Sequence, residues 1–314
     1  MPETLSSEPQ PRVSVVVPVR NGAHVLEACL RALLSQDYPR ERYDVLVVDN
    51  GSADGSPEIA SRMGVRTLFE PMAGAGPARN RGVQDAETEL VAFTDSDCEP
   101  HSGWLRALIP RLADSDAVMG WIEPTPGGNR FSRARAAVHR YYLRDCVRLD
   151  RESRLDRWDT ANAAIHRRVF DDLGGFDPRV DFPIEDREFA ARLVEHGGRL
   201  TFVEGAVVRH RYETRLLSAM RKAERAGRVW SRLPLLVPTD SIARRFPDID
   251  RLLRTSEQWS APAKRVQAHL RFWYHVIAAA LYPRDDGCFR HYSEAERLAV
   301  LRGMLRGRLE RSVS

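Results

Sequence analysis

Through the first third of the chain, short β-branched runs alternate with helical stripes of apolar residues. Val13-Ser14-Val15-Val16-Val17 closes at Pro18, and its density of valine predicts a buried strand. From Val25 to Leu34 the apolar positions Leu26, Leu30, Leu33 and Leu34 fall on one helical face. The same alternation then repeats. Strands are predicted over Tyr43–Val48, Val65–Phe69, Leu90–Thr94 and Ala117–Trp121. Helices are predicted from Ser56, over Pro77–Gln84 and over Ser102–Leu112. Such alternation predicts βαβ units around a mostly parallel central sheet flanked by helices.

The middle third is less regular. Phe131–Leu149 predicts a helix, Thr160–Ile165 a short strand, and Val169–Leu173 a helix stopped by Gly174-Gly175. A further helix over Arg187–His196 ends at Gly197-Gly198, and Leu200–Val203 and Val207–His210 predict two short strands. After Thr214 the pattern is helical, rich in arginine and interrupted by Pro234, Pro238, Pro247 and Pro262. The expected organisation is a disordered tail over 1–11, an α/β domain over 12–214 and a helical region over 215–314, a lid or a surface for acceptor or membrane.

Composition narrows the function class. With 314 residues, 43% of them hydrophobic and 29% charged, the chain can bury a real core, so whole-chain disorder is excluded. The formal charge of +4 is mild for this length and gives no reason to expect a nucleic-acid partner. Lys222 and Lys264 are the only lysines, so nearly all the positive charge is arginine. Cys29, Cys98, Cys146 and Cys288 form no C-x-x-C pair and read as free thiols in a reducing compartment. Met1–Pro11 is polar and proline-rich, unlike a secretory signal. The late apolar run Val276–Tyr282 is far short of the ~18 residues of a membrane span. The expected location is cytoplasmic, with peripheral contact at the inner face of the membrane left open by the aromatic stretch Phe272-Trp273-Tyr274.

The polar clusters follow the predicted strands, where parallel sheets bind ligands. Thr94-Asp95-Ser96-Asp97 ends an apolar run. In extended chain, residues two apart face the same way, so Asp95 and Asp97 would present two carboxylates to one spot. Such a pair needs a neutralising partner, and Mg²⁺ or Mn²⁺ with phosphate oxygens is a fitting one. Asp49 ends another strand before Asn50-Gly51-Ser52, and either binds a base or ribose or simply starts a turn. Gly74-Ala75-Gly76-Pro77-Ala78-Arg79 leads into a helix but lacks the third glycine of a dinucleotide fingerprint. Its loop and Arg79 and Arg81 still suit a nucleotide. Asp186 in Ile184-Glu185-Asp186 is either a helix cap or a general base. His210 ends an apolar strand and is either structural or a ligand.

Taken in order, these pieces resemble a family 2 glycosyltransferase with the GT-A fold. The resemblance rests on Val15-Val16-Val17-Pro18-Val19-Arg20-Asn21-Gly22, Val48-Asp49-Asn50-Gly51-Ser52, Ala78-Arg79-Asn80-Arg81-Gly82, Phe93-Thr94-Asp95-Ser96-Asp97, Ala161-Asn162-Ala163-Ala164 and Glu185-Asp186, and spans Val13–Tyr212. It implies an inverting transfer of a sugar from a nucleotide donor, UDP-sugar first, to a hydroxyl acceptor on a glycan, lipid carrier, natural product or peptide. Pro18, Arg20, Asn21, Asp49, Arg79, Asp95 and Ser96 would bind the nucleotide-sugar. Asp97 and His210 would hold Mn²⁺ or Mg²⁺, Asn162 would lie on the acceptor side, and Asp186 with Glu185 would form the catalytic pair, Asp186 as base. Asn50 stands where many relatives carry a second aspartate. A sugar-nucleotide pyrophosphorylase and a degenerate nucleotide-binding module are the competing readings.

Overall fold

The computed structural model describes residues 10–126, 129–180, 184–212, 215–231 and 247–258, most of 267–279, and nearly all of 292–306. The expected tail over 1–11 and Cys288 lie almost wholly or wholly outside these residues. In chain order the elements that frame the site are β1 (Val13–Val19), α1 (Ala23–Leu34), β2 (Tyr43–Asp49), α2 (Ser56–Arg62), β3 (Arg66–Phe69), α3 (Ala75–Asp85) and β4 (Leu90–Thr94). They are followed by β5 (Cys98–Pro100), α4 (Trp104–Leu108), β6 (Ala117–Pro126), α5 (Arg130–Arg151), β7 (Asn162–His166), α6 (Arg167–Asp172), α7 (Glu185–Glu195), β8 (Leu200–Tyr212) and α8 (Leu216–Trp230).

One sheet runs in the order β3-β2-β1-β4-β7-β6-β8-β5. Its first half is parallel, as the alternation predicts. Its second half is mixed: β7 is antiparallel to both β4 and β6, and β5 is antiparallel to β8. Valines of β1 and β2 and Phe93 of β4 are fully or nearly fully buried, because the central strands are covered on both faces. Gly82 lets α3 lie directly on β1, since a Cβ there would come within 2.3 Å of Val16 Cγ1.

Two departures from the sequence pattern have local causes. The helix expected over Ser102–Leu112 is α-helical only over Trp104–Leu108 and continues as a 3₁₀ turn over Ile109–Ala113, because Pro110 has no N–H for the α ladder. The two short strands expected after Gly198 are one strand, β8, with a bulge: Gly120 pairs Val203 and Trp121 pairs Val207, leaving Glu204–Ala206 unmatched. Asn162 fastens this bulge. Its Nδ2 donates to Trp121 O at 3.0 Å and Ala206 O at 2.8 Å, and its Oδ1 accepts from Trp104 Nε1 at 2.8 Å.

The helical region packs on the α/β domain. Leu216, Met220 and Ala223 of α8 share a core with Phe272, Val276 and Tyr292. Ala226 and Trp230 join Val180, Ile184 and Ala191 in another. Phe272, Val276 and Ala279 are buried, while Tyr274 and Leu270 are exposed. Among the described residues no helix is long and apolar enough to cross a membrane.

Candidate active site

Strand ends bring the polar residues together. Asp49 closes β2 opposite Val19, and Asp95–Asp97 follow β4 directly. The short β5 strand pairs with β8 so that Cys98 stands opposite His210. That register sets His210 beside Asp97, with Nε2 3.2 Å from Oδ2. Burial alone would push the Asp97 carboxyl up, but the hydrogen bond and charge of His210 hold it below its ordinary value. Burial would pull His210 down, and the bond to Asp97 raises it. The strand β5 was invisible to periodicity because it is three residues long and contains Glu99 and Pro100.

Asp97, His210 and Cys98 have ligand atoms within 4.8 Å of one another. A carboxylate oxygen and an imidazole nitrogen fit Mn²⁺ or Mg²⁺. The Cys98 thiol is fully buried, and burial together with Asp97 and Asp95 pushes it far above its ordinary value.

Arg79 is the cation at the centre. It is 2% exposed, with Nη2 2.7 Å from Asp95 Oδ1 and Nη1 2.9 Å from Glu185 Oε1. The guanidinium therefore ties the end of β4 to the start of α7. Burial opposes its charge, but Asp95, Glu185 and Asp186 outweigh burial and keep it firmly protonated. Glu185 Oε2 and Arg79 Nε are buried without hydrogen-bond partners among the described residues.

Asp186 is not the cap of its helix. Ile184 occupies the N-cap, and Asp186 sits in the first turn of α7 with Oδ1 accepting from Arg187 N at 2.7 Å. Burial, then the charges of Glu185 and Asp159, push its carboxyl well above the usual range. Asp159 escaped the sequence reading, which had only a polar residue between Trp158 and Thr160 to go on. Its own carboxyl is raised by burial and by Asp95. Asp95, Asp97, Asp159, Glu185 and Asp186 thus crowd around Arg79 and His210, an excess of negative charge that suits a cation.

A cleft of about 560 Å³ is lined by Pro18, Arg20, Arg79, Asp95, Ser96 and Asp97, so six of the expected residues meet there. Others serve the loops around it. Asn21 adopts φ 55° and accepts from Ala53 N at 2.8 Å through Oδ1. Asp49 accepts from Ser52 N at 3.1 Å. Asn50 also lines the cleft, and its amide pins the loop before α3, donating to Glu70 O and Met72 O and accepting from Gly74 N at 2.8 Å. Asn162 corrects an expectation: it is 0% exposed, and its amide holds the β8 bulge instead of lining an acceptor site. Arg81 points away to pair with Asp85 at 2.7 Å.

A glycosyltransferase AglE from Haloferax volcanii is 31% identical over 209 residues, covering 64% of this chain and 67% of that protein. A pre-mycofactocin glycosyltransferase from Mycobacterium tuberculosis is 30% identical over 213 residues, 65% of this chain but only 43% of that longer protein. Among solved structures, a mannosyltransferase from Pyrobaculum calidifontis, in complex with GDP-Man and Mn²⁺, superposes with a TM-score of 0.65 at 21% identity, covering 96% of this chain and 88% of the other. Residues 1–349 of TarS from S. aureus give 0.58 at 17% identity, covering 96% and 92%. These neighbours share the GT-A fold. The family described as glycosyl transferase family 2 matches residues 14–174, just over half of the chain, and this protein belongs to that family.

Proposed function

We propose that the enzyme transfers a sugar, with inversion, from a nucleoside-diphosphate donor to a hydroxyl acceptor. Residues 12–214 act as the catalytic domain and 215–314 as a helical region that is a lid or an acceptor or membrane surface. The reading is carried by one arrangement: the Arg79 bridge between Asp95 and Glu185, with Asp97–His210 on one side and Asp186 on the other. UDP-sugars remain the first expectation, and the GDP-Man of the archaeal neighbour keeps guanosine donors beside them. Family membership speaks against the pyrophosphorylase and the degenerate binding module.

In this reading Asp186 takes the proton of the acceptor hydroxyl as its oxygen bonds to the sugar C1. The bond from C1 to the diphosphate oxygen breaks, and the nucleoside diphosphate leaves with that electron pair. A raised carboxyl suits Asp186 to the task, since a base is more effective as its pKa approaches working pH. Asp97 and His210 would hold Mn²⁺ or Mg²⁺, and the ion would supply Lewis-acid stabilisation for a leaving diphosphate. Glu185 is a positioning residue, locked on Arg79. The enzyme would work in the cytoplasm, at the inner membrane face where the acceptor is lipid-linked.

The test pairs binding with turnover. UDP, GDP, TDP and CDP are each added with and without Mn²⁺ to wild type and Asp97→Ala, and melting is followed. One nucleotide should stabilise the wild type only with Mn²⁺, and the effect should vanish in Asp97→Ala. Asp186→Asn should keep that stabilisation and lose transfer by about 10²–10⁴-fold. Transfer at wild-type rate in Asp186→Asn removes it from the base role.

A further inference from the structure

Sugar transfer as proposed leaves Cys98 without a task. The residue sits in β5 directly opposite His210 of β8, and residues directly opposite in an antiparallel pair put their side chains on one face of the sheet. Asp97 stands just before it. Asp97 Oδ2 lies 3.2 Å from His210 Nε2, and Oδ1 lies 3.8 Å from Cys98 Sγ. The ligand atoms of all three fall within 4.8 Å of one another, and among the described residues theirs is the one such group of His, Cys, Asp and Glu.

These separations are close to those of a four-coordinate zinc site. With Zn–S of about 2.3 Å and Zn–N and Zn–O of about 2.0–2.2 Å, neighbouring ligand atoms of a tetrahedron stand about 3.3–3.6 Å apart. An ion that replaces the protons of the two hydrogen bonds therefore asks for little movement. The backbone holds the trio in register: Cys98 N donates to Asp95 O at 3.0 Å and closes the turn that carries Asp97. Asp97 has 44% of its side chain exposed, and it lines both the cleft of about 560 Å³ and a second one of about 520 Å³, so an ion can reach the trio from solvent.

The donor set differs from the one that Mn²⁺ or Mg²⁺ favours. Those ions prefer oxygen, whereas Zn²⁺ takes carboxylate, imidazole and thiolate alike. Charge points the same way. Without a cation, burial and the nearby Asp97 and Asp95 keep the Cys98 thiol protonated. A divalent ion offsets the charge of a thiolate and a carboxylate together, and a coordinating thiol gives up its proton.

We propose that Asp97, Cys98 and His210 form a Zn²⁺ site, in which the Cys98 thiolate joins the carboxylate and the imidazole and the bound zinc excludes the Mn²⁺ or Mg²⁺ that transfer would use. The inference builds on the reading of Asp97 and His210 as metal residues and adds a third ligand and an antagonist. With Mn²⁺ the thiol stays protonated and unbound. With Zn²⁺ it releases its proton to solvent as the Zn–S bond forms.

The test uses Co²⁺, a zinc substitute whose bond to a thiolate gives a near-ultraviolet charge-transfer band, on the full chain freed of metal and kept reduced. Wild type should develop that band with one equivalent of Co²⁺, and Zn²⁺ should abolish it. Zn²⁺ should bind well above Mn²⁺ in competition titrations and should remove the Mn²⁺-dependent stabilisation by nucleotide. In Cys98→Ser the band should vanish, and the ratio of Zn²⁺ to Mn²⁺ affinity should fall at least about tenfold. Cys29→Ser, Cys146→Ser and Cys288→Ser should keep both, which separates Cys98 from the other thiols. A band that survives in Cys98→Ser overturns the zinc site. So does a wild type without the band, a result that needs no variant to fold. Where the band appears in wild type and depends on Cys98, but no nucleotide stabilises the protein with Mn²⁺, the donor reading fails and the zinc site stands.

Discussion

Arg79 carries more of the site than any other residue. It is a buried guanidinium with a carboxylate on each side, and removing one partner leaves a charge that water cannot reach. Glu185→Gln is expected to destabilise the fold by about 3 kcal/mol in urea unfolding. Arg79→Lys should not rescue an Arg79 defect, because an ammonium cannot span both carboxylates in one plane. Asp186 behaves in the opposite sense. Its carboxyl is raised in the folded state, so its ionised form at neutral pH opposes folding, and any stability it lends is lost as pH rises. Asp186→Asn should therefore melt higher than wild type near neutral pH while losing transfer. The same shift places the acid limb of the kcat/KM profile above the ordinary aspartate range of about 4, with activity falling as pH drops through it. Glu185→Gln removes a negative neighbour, so in that variant the limb should move to lower pH.

At the scale of elements, two glycines set how closely the pieces approach. Gly82→Ala would drive a methyl into Val16 and push α3, with Arg79 on it, off β1. A loss of about 1–3 kcal/mol is expected for such overpacking, read as a lower melting temperature. Gly120→Ala is harsher, since its Cβ would stand 2.2 Å from Ala206 O and 2.6 Å from Asn162 Nδ2. It should break the clip that fixes the β8 bulge and so disturb His210, further along the same strand.

For the whole molecule, the question is what α8 does to α7. Trp230 is 4% exposed, shares a core with Ile184, and lies under the Arg187 guanidinium at 5.3 Å. Trp230→Ala is expected to cost about 3–5 kcal/mol and to loosen the start of α7 together with α8. Amide hydrogen exchange checks this: faster exchange in both helices with β1–β4 unchanged is the expected pattern. Loss confined to α8 would mean that the helical region rests on the α/β domain without bracing the start of α7.

The alternation of valine-rich runs with helical stripes was enough to fix β1, β2 and β4, because central strands buried on both faces must be continuous in apolar residues. Asp49, Asp95 and Asp97 could be located from the sequence because each closes or follows such a strand, and Arg79 because it sits near the start of the helix after β3. Long-range pairing decided the rest. The β5–β8 register set His210 beside Asp97, a salt bridge joined Arg79 to Glu185 across 106 positions, and burial turned Asp186 into a raised carboxyl. Asn162 reads like a site residue in one dimension and is a buried clip in three. Lys222 is one of two lysines in the sequence, yet only the packing of α8 brings it to the edge of the site. Periodicity records which face of an element is dry. Which charges meet depends on contacts between residues far apart in the chain, and only the folded chain supplies those.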